Sequence, residues 1–386
     1  MVFDAIVVGL GAMGSATLYQ LSRQTPNVLG LDQFNPPHTL GSTHGDSRIT
    51  RQAIGEGSYF VPLALRSYAI WQELEEQTGQ QLITKNGGLF VGRANSDVQM
   101  HNKPGFLSTT ILAAEQYTIA HRLLDNRTLC NEFPQFRFQD DDIGYYEVNA
   151  GFLNPERCIS AQLNQASQNG ATVRSNERML SFTETSNGIL VHTNVGEYST
   201  KKLILTTGPW VTDSLADTPY RNLLKVYRQV QYWFDVEENY HLFMPDRFPV
   251  FILSDRDMYG FPAIGNSGDG IKIAMETYQQ TTSPESINRT VSEAETRSMY
   301  EQCVAPNFVG IGPKCVKSAV CMYTMTPNGD FLIDYHPAHK NVLIASACSG
   351  HGFKHSAAVG QILAELAIQE RTDFDIKPFS LTHFNT

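Results

Sequence analysis

Three glycines near the N-terminus have the spacing of a turn that binds a nucleotide pyrophosphate. Gly9, Gly11 and Gly14 follow the apolar run 5–8, which predicts a buried strand, and precede residues 15–21, which have helical spacing. The first glycine permits a tight bend, the second lets backbone approach the phosphates, and the third lets the helix pack on the strand. The positive end of the helix would then face the phosphates.

A second predicted strand ends in an acid, at close to the spacing expected for a ribose ligand. This acid, Asp32, closes the apolar run 28–31. The strand, turn, helix and strand together indicate an adenine dinucleotide, whereas a glycine turn that only packs is the alternative. The motif does not separate FAD from NAD. Because the turn is N-terminal and a long stretch of mixed structure follows, a flavoprotein is favoured.

Two arginines lie in the glycine-rich stretch 41–57. Arg48 and Arg51 share this stretch with His44 and Asp46. A guanidinium holds a planar carboxylate through two parallel hydrogen bonds, so the stretch could bind an anion. A solvated loop that happens to be basic is the alternative.

Two lysines have settings of different kinds. Lys354 ends the glycine-bounded loop 349–354 and could meet an anion or a flavin edge, although a surface lysine is the more common case. Lys272 lies between Ile271 and Ile273 in an alternating pattern, so it faces either the wet side of a sheet or a cavity. In a cavity it would be a positive charge with a readily shifted pKa. An exposed strand position is the more common alternative.

Cysteine usage and missing motifs exclude several kinds of site. The six cysteines form no Cys-x-x-Cys pair, which suits reduced cytoplasmic thiols, and Cys321 alone predicts a small buried hydrophobe. The N-terminus lacks the basic start and apolar core of a signal peptide, so sequons at Asn126 and Asn288 are expected to be chance matches. No metal-binding histidine spacing and no Gly-x-Ser-x-Gly motif occur, so neither a metal site nor a serine hydrolase is expected.

Composition sets the class of protein. The 386 residues include 39 acidic and 29 basic side chains, a net charge of −10, which argues against nucleic-acid binding. No run approaches the roughly 18 apolar residues of a membrane span. A chain of this length buries a sizeable core without disulfides or metals. We therefore expect an acidic cytoplasmic enzyme.

Helical and strand patterns alternate along the chain. We expect helices at 59–78, 157–168 and 357–369, a polar helix with loops over 111–133, and strands at 82–92, 171–174, 203–208 and 342–347, with a hairpin over 178–200. Residues 226–278 instead alternate like antiparallel strands, notably 227–234 and 271–275. Dinucleotide-like segments at both ends and in the middle predict an α/β fold with two interleaved domains.

Taken in order, these segments resemble the monomeric sarcosine oxidase and N-methyltryptophan oxidase family of flavoenzymes. The resemblance runs from residue 6 to residue 379. Its densest matches are 36–38, 45–48, 55–57, 61–67, 227–230, 259–262, 319–324, 331–334 and 349–354. So many ordered matches are very specific for the family.

The resemblance implies a fold of the glutathione-reductase and D-amino-acid-oxidase type and a monomer. An FAD-binding Rossmann-like domain would be interleaved with a mixed β-sheet substrate domain. The implied ranges are 1–85, 150–215 and 322–386 for the FAD-binding domain, and 86–149 and 216–321 for the substrate domain. The implied partners are a small amino-acid substrate and O2.

The family assigns a role to each candidate residue. Cys321 matches the cysteine that joins the flavin through a thioether, and Arg51 and Lys354 match the pair that holds the substrate carboxylate. Lys272 matches the lysine that activates oxygen, and Tyr259 an aromatic wall of the pocket. Further matches beside the flavin ring are Arg48 and His44. The full set expected to contact FAD is Gly9, Gly11, Met13, Gly14, Asp32, Ser42, Arg48, Gly208, Cys321, Gly350, Gly352, Phe353 and Lys354.

One position departs from sarcosine oxidases. Four residues after the oxygen lysine they have a pocket histidine, whereas this chain has Glu276. Positions i and i+4 of a strand share a face, so Glu276 is expected to line the cavity of Lys272. Lys-x-x-x-Glu is similar to fructosyl amino acid oxidases, and a carboxylate here would favour a cationic amine or sugar hydroxyls. Pairing with Lys272 and a turn to solvent are the alternatives.

Four hypotheses remain open at this point. The first is a covalent-FAD oxidase of N-methyl amino acids, in which a C–H over the flavin gives up a hydride equivalent and O2 becomes H2O2. The second is an oxidase of fructosyl amino acids on the same fold. A dehydrogenase that passes electrons to a quinone or carrier is the third, and a NAD-binding or non-catalytic flavin-binding protein is the fourth.

Overall fold

The apolar runs of the sequence form the central strands of two large sheets. The computed structural model describes residues 2–93, 96 and 98–384. Among these residues the strands are β1 (Val2–Val8), β2 (Val28–Leu31), β3 (Arg48–Thr50), β4 (Ile83–Thr84), β5 (Gly88–Arg93), β6 (Gln99–Met100), β7 (Lys103–Pro104), β8 (His121–Leu124), β9 (Asp142–Glu147), β10 (Gly151–Leu153), β11 (Thr172–Arg174), β12 (Met179–Thr185), β13 (Gly188–Thr193), β14 (Glu197–Leu205), β15 (Lys225–Val236), β16 (Val250–Leu253), β17 (Met258–Ala263), β18 (Ile271–Met275), β19 (Thr281–Thr282), β20 (Ile311–Met325), β21 (Leu332–His336) and β22 (His339–Ser346).

Helices cover the sheets and connect them. The α-helices are α1 (Ala12–Ser22), α2 (Val61–Thr78), α3 (Phe106–Gln116), α4 (Asn126–Glu132), α5 (Pro155–Gln168), α6 (Val211–Ser214), α7 (Glu293–Met299), α8 (Ala305–Asn307) and α9 (Ser356–Gln369). Short 3₁₀ segments are Ser58–Phe60, Gly208–Trp210, Tyr240–Phe243, Ser254–Arg256, Phe353–His355, Lys377–Phe379 and Leu381–Phe384, and Tyr300–Val304 is a π turn.

The first sheet is the expected dinucleotide-binding sheet. Its strands follow the order β11-β2-β1-β14-β13-β12, with β22 added to β14 and β21 to β22. β1 pairs in parallel with β2 and β14, and every residue of its run 5–8 is buried, as the continuous apolar pattern predicts. Helix α9 packs against α1 so closely that a Cβ on Gly360 would lie 2.5 Å from Ala16.

The second sheet is mixed and carries Tyr259, Lys272 and Cys321. Its order is β19-β15-β18-β17-β16-β5-β9-β8, with β20 paired to β15. The strands β15 and β18 pair antiparallel, as their alternating patterns predict, while β16 and β5 pair in parallel. Two small sheets, β3-β10-β4 and β6-β7, complete the fold.

Three segments differ from expectation. The predicted strand 82–92 is two strands of different sheets, because Gly87 turns the chain between them with a φ of 81°. The predicted polar helix 111–133 is interrupted by strand β8, because residues 121–124 pair with β9 at the edge of the second sheet. The predicted hairpin 178–200 continues without a break into the strand expected at 203, so β12, β13 and β14 form a meander.

The proposed division into two domains follows the sheets except at one strand. Strands of the first sheet lie in the ranges 1–85, 150–215 and 322–386, and strands of the second in 86–149 and 216–321, but β20 crosses the boundary at 321. The division itself stays a proposal. Within the residues described, no helix is long and apolar enough to span a membrane.

Candidate functional site

The glycine turn has the geometry that its three glycines predict. Gly9 has a φ of 87°, and a Cβ on Gly14 would lie 1.7 Å from the Gly9 carbonyl oxygen, so the helix packs directly on the turn. A Cβ on Gly11 would meet only Thr43 Oγ1, at 3.9 Å. Helix α1 starts after Gly11 with no side chain capping its amide groups. These amides and the open side of Gly11 suit a phosphate group.

A cavity of about 620 Å³ opens in front of this turn. Its volume falls within the roughly 300–1,000 Å³ of small-molecule and cofactor sites. Of the residues expected to contact FAD, those on its wall are Gly9, Gly11, Met13, Asp32, Ser42, Arg48, Gly208, Gly350, Gly352 and Phe353. Gly14, Cys321 and Lys354 are not on its wall: Gly14 supports the turn from behind, and the other two are described below.

Asp32 holds the turn together as well as lining the cavity. Its carboxylate accepts hydrogen bonds from the backbone N–H of Leu10, at 2.7 Å, and of Phe34, at 2.8 Å. Burial raises the pKa of Asp32. Each oxygen keeps a lone pair for a ligand hydroxyl, and contact with a ribose stays a prediction.

Arg48 and His44 lie together next to the cavity. The Arg48 guanidinium donates to the carbonyls of Ser47 and Ser42, at 2.8 and 2.9 Å, which fixes it in the wall. His44 is buried, and its Nε2 has no hydrogen-bond partner. Burial, together with the charges of Arg48 and Lys272, lowers the pKa of His44 to about 4. Its imidazole is therefore neutral at pH 7 and available to a ligand.

Lys272 is buried in the same region, so the exposed-strand alternative is wrong. Its Nζ donates to the carbonyl oxygens of Gly45 and Ser47, both at 2.7 Å, and lies 4.2 Å from the ring centroid of Phe261. Burial, and after it Arg48, lowers the pKa of Lys272 well below its usual range. The two carbonyls accept two of its N–H groups, which leaves a third for a ligand.

Arg51 is also buried, so a solvated basic loop is wrong for this part of the stretch 41–57. Its Nη2 contacts both carboxylate oxygens of Glu56, at 2.9 and 2.6 Å, and its Nη1 donates to the Ala53 carbonyl. Its buried Nε has no partner. Although burial opposes it, Arg51 and then Lys354 hold the pKa of Glu56 well below its usual range. The sequence analysis did not identify Glu56 as the partner of this arginine.

Lys354 is a second buried cation close to that pair, so the surface-lysine alternative is wrong. Its Nζ donates to the carbonyl of His351 at 2.7 Å. Burial lowers the pKa of Lys354 to about 7, with Glu56 opposing the change and Arg51 adding to it. A bound carboxylate would restore its charge, because an anion nearby favours the ammonium form.

Glu276 lies on this side of the site rather than with Lys272. The strand β18 ends at Met275, one residue earlier, and the Glu276 carboxylate contacts His101 Nε2 at 2.7 Å and Tyr278 Oη at 2.8 Å. Both alternatives for Glu276, pairing with Lys272 and a turn to solvent, are wrong, since it is buried with other partners. The expectation that Glu276 lines the cavity of Lys272 stays a prediction; the two side chains have different partners.

His101 was missed altogether by the sequence analysis. Its Nδ1 lies 3.0 Å from Glu56 and its Nε2 lies 2.7 Å from Glu276. Although burial opposes it, Glu276 and then Glu56 raise the pKa of His101 to about 9. A single histidine between two strands of two residues each carries no periodic signal, so no sequence pattern points to it.

Tyr259 and Cys321 lie between the two groups of charges. Tyr259 Oη is 3.2 Å from Tyr323 Oη, and Tyr323 lines the cavity. Burial, and after it the neighbouring Cys321, raises the pKa of Tyr259, so its phenol is neutral. Cys321 is fully buried on β20, where Gln231 Nε2 approaches its sulfur at 3.5 Å, and burial raises its pKa. It lies in the protein layer next to the cavity.

The site thus combines a candidate nucleotide cradle with two groups of buried or partly buried polar side chains. Arg48, His44 and Lys272 form one group, and Arg51 and Lys354 with their carboxylates form the other. An anion held by the second group would lie beside the end of the cavity formed by residues 350–353.

Comparisons with known proteins agree with this arrangement. The chain matches the DAO family, described as FAD dependent oxidoreductase, over residues 4–366. It is 36% identical to a monomeric sarcosine oxidase of Streptomyces avermitilis, covering 98% of this chain and 96% of that protein. It is 33% identical to an N-methyl-L-tryptophan oxidase of Escherichia coli, covering 100% of both.

A solved structure shares the fold at lower identity. NikD, an unusual amino acid oxidase essential for nikkomycin biosynthesis, superposes with a TM-score of 0.83 at 20% identity, covering 98% of this chain and 97% of that one.

Proposed function

This chain belongs to the FAD-dependent oxidoreductase family that includes monomeric sarcosine oxidase, and from that premise we propose that it oxidises N-methyl amino acids with O2. The observation that carries the proposal is the pair of buried cations, Arg51 and Lys354, beside a cavity that suits a dinucleotide. A buried cation without a full complement of partners requires an anionic ligand, and an amino acid supplies a carboxylate.

FAD is the cofactor that fits the cavity. The open side of Gly11 and the uncapped start of α1 would hold the pyrophosphate, and Asp32 would hold the ribose. When bound, FAD would supply the chemistry for oxidising a C–H next to nitrogen. We further propose that Cys321 is joined to it through a thioether.

The protein's own residues position the substrate and balance the charges. Arg51 and Lys354 hold the carboxylate, which directs the C–H of the N-methyl group toward the flavin. The amine loses two electrons and two protons, O2 takes up both to form H2O2, and water converts the imine to amino acid and formaldehyde. We assign O2 activation to Lys272, because the Gly45 and Ser47 carbonyls take two of its N–H groups and an anion forming beside the third would favour its ammonium form. Neutral His44 adds a hydrogen-bonding nitrogen without adding charge.

A peroxide assay of the purified yellow protein tests the proposal. We expect H2O2 from sarcosine or N-methyltryptophan and little from pipecolate or fructosyl-valine. Activity confined to fructosyl-valine would instead establish the deglycating alternative. Dye reduction without peroxide would establish a dehydrogenase, and a colourless protein, or a yellow one that no amine bleaches, would contradict catalysis by FAD.

Acid precipitation tests the covalent link. We expect flavin to stay with the precipitated wild type and to be released from Cys321→Ser. Cys348→Ser is the matched control. Cys348 is a second cysteine at the site, and it lines the cavity wall, whereas Cys321 does not. Flavin retained by Cys321→Ser would contradict the assignment.

We also propose that the enzyme is a cytoplasmic monomer. The name of its sarcosine oxidase relatives supports the monomer. Light scattering on the purified protein at several concentrations tests it, and a mass that rises to twice 43.0 kDa would contradict it.

A further inference from the structure

A row of alternating charges crosses the substrate side of the site. Arg51 pairs with Glu56, Glu56 with His101, and His101 with Glu276, over contacts of 2.6, 3.0 and 2.7 Å. None of these four side chains is more than 6% exposed. The charge of Lys354 also lowers the pKa of Glu56.

His101 is brought to this row by a hairpin of another part of the chain. Strands β6 and β7 are joined by His101 and Asn102, which have φ values of 53° and 62°. The hairpin is anchored by Lys103, whose Nζ lies 2.9 Å from the buried carboxylate of Asp330, and by Asn102, which donates to the Pro327 carbonyl. A left-handed histidine is unfavourable by itself, so the surrounding contacts hold it there.

The charges of this row nearly cancel, and His101 decides the balance. Arg51 and His101 offset Glu56 and Glu276, which leaves the charge of Lys354 for a ligand. Without the His101 cation, two buried carboxylates would face one arginine and one lysine, and no net positive charge would remain. Two other titratable groups face His101: His351 packs at 5.1 Å between ring centroids and adds no charge, because burial holds its pKa well below its usual range, and Asp257 is only partly buried, so solvent screens its carboxylate.

We propose that His101 is a specificity-determining residue, which cancels Glu56 and Glu276 so that the site accepts substrates with one carboxylate and no further net charge. The proposal rests on the function proposed above. It also revises the expected effect of Glu276: because both of its oxygens already have partners, Glu276 is a counter-ion of His101 rather than a free acceptor for a cationic amine.

Binding of two small carboxylates to the holoenzyme tests the proposal. Acetate, a monoanion, and malonate, a dianion, are titrated against the flavin absorbance of the wild type, His101→Gln, Glu276→Gln and the double variant. We expect His101→Gln to weaken acetate binding at least about tenfold, and the double variant to return to within about threefold of wild type. Glu276→Gln removes one buried negative charge, and a bound dianion would then favour the His101 cation in its place, so the variant should bind malonate at least about tenfold more tightly.

A purely structural role for His101 gives a different pattern. Loss of packing in His101→Gln would not be repaired by a second neutral residue at 276, so acetate binding that stays weak in the double variant overturns the proposal. Unchanged acetate binding in His101→Gln overturns it as well. If His101→Gln does not fold, Glu276→Gln alone decides, and an unchanged preference between malonate and acetate overturns the proposal.

The experiment tests the proposed reaction separately from the charge balance. Peroxide formation is measured for the wild type only, whereas acetate and malonate are not oxidised and report on binding alone. An intact acetate pattern without turnover of N-methyl amino acids contradicts the proposed substrate and supports the role of His101. If N-methyl amino acids are turned over but acetate binding does not respond to the charge at position 101, only the role of His101 is contradicted.

Discussion

The cofactor cavity and the substrate-side charges are built in opposite ways. The cradle for the pyrophosphate comes from six consecutive residues, 9–14, and acts through backbone groups. The charge row, together with Lys354, comes from four separate segments of the chain, and His101 and Glu276 are 175 positions apart. A short motif can specify a backbone site because its geometry is local, whereas a charge row exists only after the chain has folded.

The two regions also differ in what a substitution costs. In the cradle a side chain matters because it occupies space that a ligand needs. In the charge row a side chain matters because each buried charge depends on its neighbours, and removing one leaves another uncompensated. The predictions below test this difference, from the largest expected effect to the smallest.

Gly11→Val should abolish flavin binding without unfolding the protein. The added side chain meets only Thr43 within the protein, so it projects into the space expected for phosphate. We expect flavin content to fall at least about 100-fold, measured as absorbance per mole of purified protein. Gly196→Val is the matched control, since nothing lies within 4 Å of a Cβ there. A yellow Gly11→Val protein would contradict the assignment of the cradle.

Lys272→Met should slow the reaction of the reduced enzyme with O2 by about 100- to 1,000-fold, the usual cost of losing one group that stabilises developing charge. Reduction by the amine should change by less than about tenfold, because Lys272 does not belong to the carboxylate clamp. Stopped-flow absorbance measures the two steps separately. Lys317→Met is the control: Lys317 contacts the same Trp233 ring, at 4.6 Å, but is about half exposed. Equal slowing of both steps in Lys272→Met would contradict its role with oxygen.

Sequence patterns predicted the parts of the molecule that depend on near neighbours. The run 5–8, the glycine turn and helix α1 appear as expected, and ten of the residues expected to contact FAD line the cavity. Taken singly, the sequence patterns around Lys272 and Lys354 favoured an exposed position for each lysine. Only the family resemblance implied that they lie in the site. Burial of a charge depends on partners elsewhere, such as the Gly45 and Ser47 carbonyls, which no local pattern around Lys272 contains.

The missed residues have the same explanation. Glu56 and His101 gain their roles from each other and from Arg51 and Glu276, across contacts between distant segments. Strands β6 and β7 are two residues each, too short for an alternating pattern to appear. The i, i+4 rule could not give the partners of Glu276, because the rule assumes a strand that continues, and β18 ends at Met275.

Lys354→Met should lower kcat/KM for an N-methyl amino acid by about 10- to 100-fold, equivalent to about 1.5–3 kcal/mol for a hydrogen bond between charged groups. Most of the loss should appear in KM, because the carboxylate is held in both ground and transition states. Lys201→Met removes an exposed lysine, which pairs with Asp4, and should change neither constant beyond about twofold. A loss confined to kcat would mean that Lys354 acts on the reaction and not on the carboxylate.

The last effect concerns folding and not catalysis: it is the contribution of His101 to the pH dependence of stability. Its pKa of about 9 in the folded protein lies above the ordinary 6.5, so its ion pairs stabilise fully below pH 6.5 and are lost as the pH rises through 9. The difference in unfolding free energy between wild type and His101→Gln should therefore be about 3 kcal/mol at pH 6 and within about 1 kcal/mol at pH 10, measured by urea unfolding. His192→Gln removes a surface histidine that pairs with Glu197, and its difference from wild type should stay below about 1 kcal/mol at both pH values. A difference for His101→Gln that does not shrink with pH would mean that shape, and not charge, gives His101 its place beside the two carboxylates.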